Sequence, residues 1–211
     1  MGCCNLHTAT NGEEALAVLK TVSIDLLMTD VRMPIMDGIT LVRHLGEMGG
    51  PVPSIVFISG FGNSIDHREM YALGVEAFLA KPILQDDLIE IAERALIEQS
   101  NRWLIPTGAA PRRSMFFQVE GIGEMKGKNT ILLGRGGFSI HIPDSVPMGK
   151  IAFRCGFTSE EREMAGQGYV HWYSKSDQVA GIEFVFLDAT CHSWVVDEIA
   201  GIGPRSFIPS L

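Results

Sequence analysis

The stretch that decides the fold of the first half reads Leu26-Leu-Met-Thr-Asp-Val-Arg-Met-Pro-Ile-Met-Asp-Gly38. Apolar and small residues run into one aspartate, Asp30, and a loop containing Pro34 follows before a helical pattern begins at Gly38. A buried parallel strand presents a polar side chain in this way, because ligands bind beyond the carboxyl ends of such strands. The stretch therefore predicts an α/β fold with Asp30 at the ligand-facing edge of the sheet.

Working outward from Asp30, strand and helix patterns alternate, which is typical of a parallel, doubly wound sheet. Asn11 is a suitable helix cap, with Glu14 three residues further on. The predicted strands are Asn5 to Thr10, Ile24 to Thr29, Ser54 to Ile58 and Glu76 to Ala80. One predicted helix begins after Asn11. The other three cover Gly38 to Glu47, Ser64 to Leu73 and Gln85 to Ile97.

Polar side chains follow three successive strands of this pattern: Asp30, Ser59 and Lys81. Taken singly, each has an ordinary interpretation as a loop cap, a turn residue or a solvated strand end. Together they predict a phosphoryl acceptor. A carboxylate attacks phosphorus to form an acyl phosphate, an ammonium neutralises the phosphoryl oxygens, and a hydroxyl donates a hydrogen bond to them.

At this point residues 5 to about 98 resemble the receiver domain of two-component response regulators. The motifs that carry the resemblance are Asn11-Gly-Glu-Glu-Ala-Leu16, Thr29 to Gly38, Ile58-Ser59-Gly60 and Phe78-Leu-Ala-Lys81-Pro82. The resemblance implies that a sensor histidine kinase phosphorylates Asp30, that Lys81 binds the phosphate and that Ser59 is the switch hydroxyl. It also implies a switch aromatic at Phe78, whose plain alternative is a core or edge phenylalanine. Receivers of this kind often pair as homodimers, here through residues around Gly74 to Ile97.

One part of the family pattern is missing. The family holds Mg²⁺ with Asp30, the backbone carbonyl of Arg32 and an acidic pair at the end of a first strand, yet no Asp or Glu precedes Glu13. A flavodoxin-like sheet that lacks its first strand and helix is short of about 30 residues. We expect an N-terminally shortened receiver, whose Mg²⁺ site needs the missing pair. The alternative is a degenerate receiver that phosphorylates poorly.

In the second half of the chain, apolar residues and turn residues follow a different spacing. Ser100 to Pro111 is rich in Pro and Gly and predicts a linker. We therefore expect a receiver at 1–98, a linker at 99–110 and a second domain at 111–211. Short strands spaced by turns predict a small β-barrel closed by a C-terminal helix at Asp188 to Ile199. The strand candidates are Met115 to Glu120, Asn129 to Leu133, Phe138 to Ile142, Lys150 to Gly156, Tyr169 to Tyr173 and Gly181 to Phe186.

This half resembles a PilZ domain, the bacterial receptor module for cyclic di-GMP. The carriers are Arg112-Arg113, Gly136-Gly137-Phe-Ser-Ile140, Pro147-Met-Gly149, Gly168 to Trp172 and Gly181 to Phe184. The resemblance implies cyclic di-GMP or phosphate contacts at Arg112, Arg113, Arg135 and Gly137. The family's strand motif is broken, because Leu132 and Gly134 stand where polar residues are needed. A leucine there leaves polar groups of the ligand unpaired, which favours a degenerate barrel that works by protein contact.

Composition limits the remaining function classes. The formal charge of −8 disfavours a nucleic-acid surface. No apolar run is long enough to span a bilayer and no signal peptide is visible, so we expect a cytoplasmic protein without membrane insertion. His141, His171 and His192 are scattered, and we interpret them as surface or hydrogen-bonded histidines. Trp172 and Trp194 are interpreted as core residues.

The expected function is a response regulator, not an enzyme, that is phosphorylated on Asp30 and acts on an unidentified downstream protein through its PilZ-like barrel. A first alternative is a cyclic di-GMP effector whose inactive receiver serves as a dimerisation scaffold. A second is an aspartyl-phosphate hydrolase, which Arg32 disfavours because such an enzyme needs an acidic residue there.

Overall fold

The structure is a computed structural model that describes residues 5–49, 52–60, 66–123, 125, 129–143, 146–203 and 205–210. The chain divides into two compact units. The first contains Met1–Ile65 and Val75–Leu96, and the second contains Asp66–Gly74 and Ile97–Leu211. Predicted positions at residues 1–4, 50, 51, 64 and 65 lie outside the described residues. No described helix is long and apolar enough to cross a membrane.

The first unit is built on a parallel sheet of three strands in the order β1-β2-β3. Its strands are β1 (Leu26–Asp30), β2 (Ser54–Ser59) and β3 (Val75–Ala80), each within two residues of the predicted span. Its helices are α1 (Gly12–Leu19), α2 (Gly38–Met48) and α4 (Gln85–Ala95), while α3 (His67–Ala72) belongs to the second unit. Ile55, Val56 and Phe57 of β2 are fully buried. The receiver-like parallel sheet with helices is therefore confirmed.

The predicted strand at Asn5 to Thr10 is wrong. These six residues are exposed and pair with no described strand. Extended backbone needs a hydrogen-bonding neighbour to become a strand, and β1 pairs only with β2 among the described residues. The helix that follows begins as predicted, because Asn11 Oδ1 accepts the N–H of Glu14 at 3.0 Å. The Glu14 carboxylate accepts the N–H of Thr10 at 2.9 Å.

The second unit is a nearly closed barrel of seven strands, in the order β4-β8-β9-β10-β7-β6-β5. The strands are β4 (Ser114–Val119), β5 (Gly121–Ile122), β6 (Thr130–Leu133), β7 (Gly137–His141), β8 (Gly149–Phe157), β9 (Arg162–Ser174) and β10 (Val179–Leu187). β4 and β5 are separated by one residue yet lie at opposite ends of this order. One bent segment therefore joins both edges of the sheet, which removes most of the unpaired edge.

The predicted barrel and C-terminal helix are thus both found, with α5 at His192–Ile202. β5 was not predicted, because two residues are too few to show a period. A one-turn 3₁₀ helix, Gln99–Asn101, occupies the start of the predicted linker.

Aromatic rings fill the barrel. The Phe138 ring lies 5.2 Å from that of Phe153 and 5.5 Å from that of Phe184, measured between centroids. Phe138 and Phe184 are almost completely buried. Trp194 packs against the edge of this core. Trp172 is buried too, but it lies outside the barrel core, against α3.

A β-bulge interrupts the pairing of β9 with β10. Gly181 pairs with Trp172 and the next residue, Ile182, pairs with Val170, so His171 is an extra residue in β9. A bulge of this kind changes the direction of neighbouring side chains. Here both His171 and Trp172 contact residues of α3.

Gly137 offers a test of how the barrel strands pack. A Cβ at this position would lie 2.1 Å from the backbone oxygen of Ile182, on the neighbouring strand. Because backbone has little room to move, we expect Gly137→Ala to lower the free energy of unfolding by about 3 kcal/mol. Urea unfolding followed by tryptophan fluorescence measures this, since Trp103, Trp172 and Trp194 all belong to the second unit.

The matched control is Gly201→Ala in α5, where an added Cβ meets nothing within 4 Å. Alanine favours helix over glycine, so this control should leave stability unchanged or raise it by up to about 1 kcal/mol. Equal unfolding curves for Gly137→Ala and the wild type would contradict the packing explanation.

Candidate functional site

The three predicted polar residues meet at one edge of the first unit. Asp30 ends β1, Ser59 ends β2, and Lys81 follows the last residue of β3. The Lys81 ammonium donates a hydrogen bond to the Asp30 carboxylate and forms an ion pair with it. The Lys81 backbone N–H donates to the Ser59 carbonyl oxygen at 2.8 Å. The peptide bond between Lys81 and Pro82 is cis.

The surroundings of Asp30 keep it ionised. Burial acts to raise the pKa of this carboxyl, but hydrogen bonds from Lys81 and from the backbone N–H groups of Arg32 and Val31 outweigh it. The net result is a pKa below the usual range for aspartate. The Asp30 side chain is 28% exposed and that of Lys81 is 48% exposed. An ionised carboxylate that solvent reaches is available as a nucleophile.

The loop after Asp30 is held close to the strand by Gly38. A Cβ at Gly38 would lie 2.3 Å from the Asp30 carbonyl oxygen, and the Gly38 N–H donates to the Val31 carbonyl at 3.1 Å. Asp37 caps α2 by accepting the N–H of Thr40 at 2.7 Å. This hydrogen bond lowers the pKa of Asp37. The sequence pattern predicts that the helix begins at Gly38 but gives Asp37 no role, although aspartate directly before a helix start is the usual signal for such a cap.

Phe78 is half-buried on β3 and pairs in register with Phe57 on β2. The two rings meet edge to face, with centroids 6.3 Å apart and planes at 68°. Val75, Ala77 and Leu79 on the same strand are buried. The contact agrees with a packed aromatic beside the site, and its role as a switch stays a prediction.

The predicted metal site is incomplete among the residues that the structure describes. Mg²⁺ prefers a nearly octahedral shell of oxygen ligands. Two of the predicted ligands are present, the Asp30 carboxylate and the Arg32 backbone carbonyl, and the Lys81 ammonium is bound to the first. Among the described residues no group of three or more His, Cys, Asp and Glu side chains is placed to hold a metal ion. The residues present therefore do not fit Mg²⁺ by themselves.

The candidate ligand residues of the barrel are not gathered in one place by any described contact. Arg112 and Arg113 are exposed just before β4. Arg135 instead holds its own chain, because its guanidinium donates to the carbonyl oxygens of Gly74 at 2.8 Å and Arg205 at 3.1 Å. Gly137 lies too close to Ile182 for any side chain. Arg135 and Gly137 therefore both have a structural explanation that needs no ligand.

His141, His171 and His192 are each exposed or hydrogen-bonded. His192 Nε2 lies 2.7 Å from the Arg102 carbonyl oxygen, and His171 lies between Tyr71 and Glu183. His141 is exposed.

Comparison with known proteins identifies a family match in the first part of the chain, which includes Asp66–Gly74. The model of the response regulator receiver domain matches residues 1–93. This segment matches the receiver family. FixJ, a transcriptional regulatory protein of Rhizobium meliloti, is 39% identical over 85 residues, which are 40% of this chain and 41% of FixJ. The positive alginate biosynthesis regulatory protein of Pseudomonas aeruginosa is 31% identical over 88 residues, or 42% of this chain and 34% of that protein.

Among solved structures, the receiver domain of NtrX from Brucella abortus is 32% identical, covers 43% of this chain and 76% of its own, and gives a TM-score of 0.39. The chain spans 34% and 41% of the length of the two regulatory proteins described above. The receiver model ends at residue 93, before the barrel begins.

The ion pair at the receiver site has a pH consequence. The folded pKa of Asp30 lies below its unfolded value, so its ionised form stabilises the fold at neutral pH, and this contribution disappears as pH falls through the folded pKa. Lys81→Met removes the hydrogen bond and the positive charge, and we therefore expect it to raise the pKa of Asp30. Titration of the assigned Asp30 carboxyl resonance by NMR measures the change.

Lys20→Met is the matched control, because Lys20 is exposed at the end of α1. It should leave the Asp30 titration unchanged. An Asp30 pKa that is the same in Lys81→Met and in the wild type would show that the ion pair does not set it.

Proposed function

We propose that this chain is a two-component response regulator whose receiver is phosphorylated on Asp30 by a sensor histidine kinase. The observation that carries the proposal is the Asp30–Lys81 ion pair at one edge of the sheet, with Ser59 on the strand between them. In the transfer, an Asp30 carboxylate oxygen attacks the phosphorus of a phosphohistidine. The P–O bond forms as the P–N bond breaks, and the histidine leaves with its nitrogen lone pair.

Lys81 has a clear part in this scheme. Its ammonium pairs with the Asp30 carboxylate before transfer, and afterwards it pairs with the phosphoryl oxygens. The Ser59 hydroxyl donates a hydrogen bond to the same phosphoryl group, and Phe78 responds to the movement of Ser59. The backbone N–H of Arg32 already donates to Asp30 Oδ1 at 3.2 Å and helps to hold the loop beside the acceptor.

The proposed output is the barrel, which acts as a degenerate PilZ-like domain through protein contacts. Its support is the sequence resemblance together with the environment of the candidate ligand residues. A cyclic di-GMP site would need the Arg135 side chain and the glycine-rich turn at residues 134–137 to be accessible to the ligand. Arg135 is bound to backbone carbonyls, and a Cβ at Gly136 would lie 1.9 Å from the Phe207 ring. The cyclic di-GMP alternative is therefore not favoured.

Incubation with acetyl phosphate, with and without Mg²⁺, tests the acceptor. We expect intact-mass spectrometry to show the mass of one added phosphoryl group, and we expect Asp30→Asn to abolish it, because the amide is a far weaker nucleophile than the carboxylate. Lys81→Met should reduce the yield, since it removes the charge that neutralises the phosphoryl oxygens.

Asp25→Asn is the matched control, because Asp25 is an exposed carboxylate directly before the same strand. It should be phosphorylated as well as the wild type. The proposal fails if no mass gain appears under either condition, or if the gain persists in Asp30→Asn.

Calorimetric titration with cyclic di-GMP tests the output. We expect no binding heat, because the barrel's glycine-rich turn and Arg135 are occupied by the chain itself. Arg113→Ala serves as the comparison variant. Micromolar binding that this variant loses would replace the protein-contact output with a nucleotide-binding one.

A further inference from the structure

The outer surface of strands β9 and β10 has an unusual composition for a barrel exterior. We name as the docking face Tyr169, His171 and Trp172 on β9 together with Glu183 on β10. Ala180 and Ile182, on either side of Gly181, are part of the barrel core, so Gly181 and Glu183 face outward. Yet Trp172 is 8% exposed and Glu183 is 9% exposed. The part of this exterior surface that holds Trp172 and Glu183 is therefore covered, while Tyr169 at its edge is exposed.

The cover is a nine-residue piece of the same unit, Asp66–Gly74, which contains α3 and which we name the latch segment. Tyr71 Oη lies 3.1 Å from His171 Nδ1, and the two rings are 4.8 Å apart. His171 Nε2 in turn lies 2.6 Å from a Glu183 carboxylate oxygen. A continuous polar chain thus runs from the latch segment into the docking face.

Arg68 makes the second contact of the latch segment. Its guanidinium lies 5.2 Å from the centre of the Trp172 ring, within range of a cation–π interaction. It also forms an ion pair with Asp177 at 3.1 Å. The side chains of this pair are 29% and 36% exposed, so water weakens their attraction.

The barrel also satisfies the end of the short helix. The last carbonyl groups of a helix have no partner within it. The Tyr71 oxygen accepts the local N–H of Gly74 at 3.1 Å and that of Phe207 at 2.9 Å. Ser206 Oγ donates to the Ala72 oxygen at 2.9 Å, and Arg135 donates at 2.8 Å to the oxygen of Gly74, just beyond the helix. A helix of six residues is not stable alone in water. Its order therefore depends on these contacts.

Two polar groups of the covered surface lack a hydrogen-bond partner in the described part of the chain. Trp172 Nε1 and the hydroxyl of the fully buried Ser139 have no hydrogen-bond partner among the described residues. Ser139 pairs with Gly181, whose other partner is Trp172, so both groups lie on the same part of the sheet. Polar, partly exposed contacts and a short helix are features of elements that open locally, which favours reversible docking.

From these contacts we propose that Asp66–Gly74 is a releasable latch, and that the docking face is the barrel's binding site for this segment. In the docked state Arg68 contacts Trp172 and Asp177, and Tyr71 contacts His171. In the released state the helix is lost and the docking face is open to water. The latch segment ends directly before β3, whose first residue, Val75, stays paired with Ile55 in the parallel sheet.

Hydrogen–deuterium exchange of the full unphosphorylated chain tests the latch, so the result does not depend on Asp30 chemistry. Peptides covering Asp66–Gly74 should exchange faster than those from β9 and β10, and slower than unprotected backbone. Tyr71→Ala removes the ring and the hydroxyl, and should speed exchange of the latch segment about tenfold while leaving β9 and β10 unchanged.

Tyr173→Phe is the matched control. It removes a barrel hydrogen bond, from Tyr173 Oη to the Ile142 carbonyl at 3.2 Å, that does not involve the latch segment. It should leave exchange of Asp66–Gly74 as in the wild type. A Tyr71→Ala variant that loosens β9 and β10 equally would show that the helix is a fixed part of the barrel.

A charge swap isolates the ion pair. Arg68→Asp and Asp177→Arg should each speed exchange of the latch segment, and the double variant should recover part of the protection, because the pair is restored with opposite polarity. The proposal is overturned if the double variant recovers nothing. It is also overturned if the wild-type segment exchanges only when the whole unit unfolds, or as fast as unprotected backbone.

Discussion

The register of the three parallel strands is the constraint on which the receiver site depends. Asp30 pairs with Ile58 and Ser59 pairs with Ala80, so the strands end almost level and their last residues share one edge. A shift of one residue would turn every side chain of a strand to the opposite face. The Asp30–Lys81 ion pair is therefore a product of sheet register, and Gly38 extends that order into the loop by letting α2 begin against the Asp30 carbonyl.

The second unit solves a different problem, which is how to close a sheet. β4 and β5 belong to one bent segment that pairs with β8 at one end and with β6 at the other. The glycine-rich turn before β7 belongs to the same solution, because the C-terminal segment packs against it and leaves no room for side chains. Motifs that look like ligand loops in the sequence are here sites where backbones meet closely.

Sequence alone predicts the receiver elements well, because buried strands and amphipathic helices leave strong periodic signals around Asp30 and Lys81. It fails at Asn5 to Thr10, where a β-like composition lacks a neighbouring strand to bond with. It also misses the environment of Arg135, since hydrogen bonds to Gly74 and Arg205 join positions far apart in the chain. The contacts of α3 were hidden for the same reason, because local propensity says nothing of what a short helix packs against.

The bulge in β9 has a consequence for sequence change. Val170 and Trp172 pair with adjacent residues of β10, and His171 between them has no counterpart on that strand. A deletion of this one residue leaves the pairing on both sides in register and the aromatic core intact. Insertions and deletions are normally confined to loops, but here a residue can be gained or lost inside a central strand. The length of β9 can therefore change at this one point, and such a change alters the outer wall of the barrel while its interior stays the same.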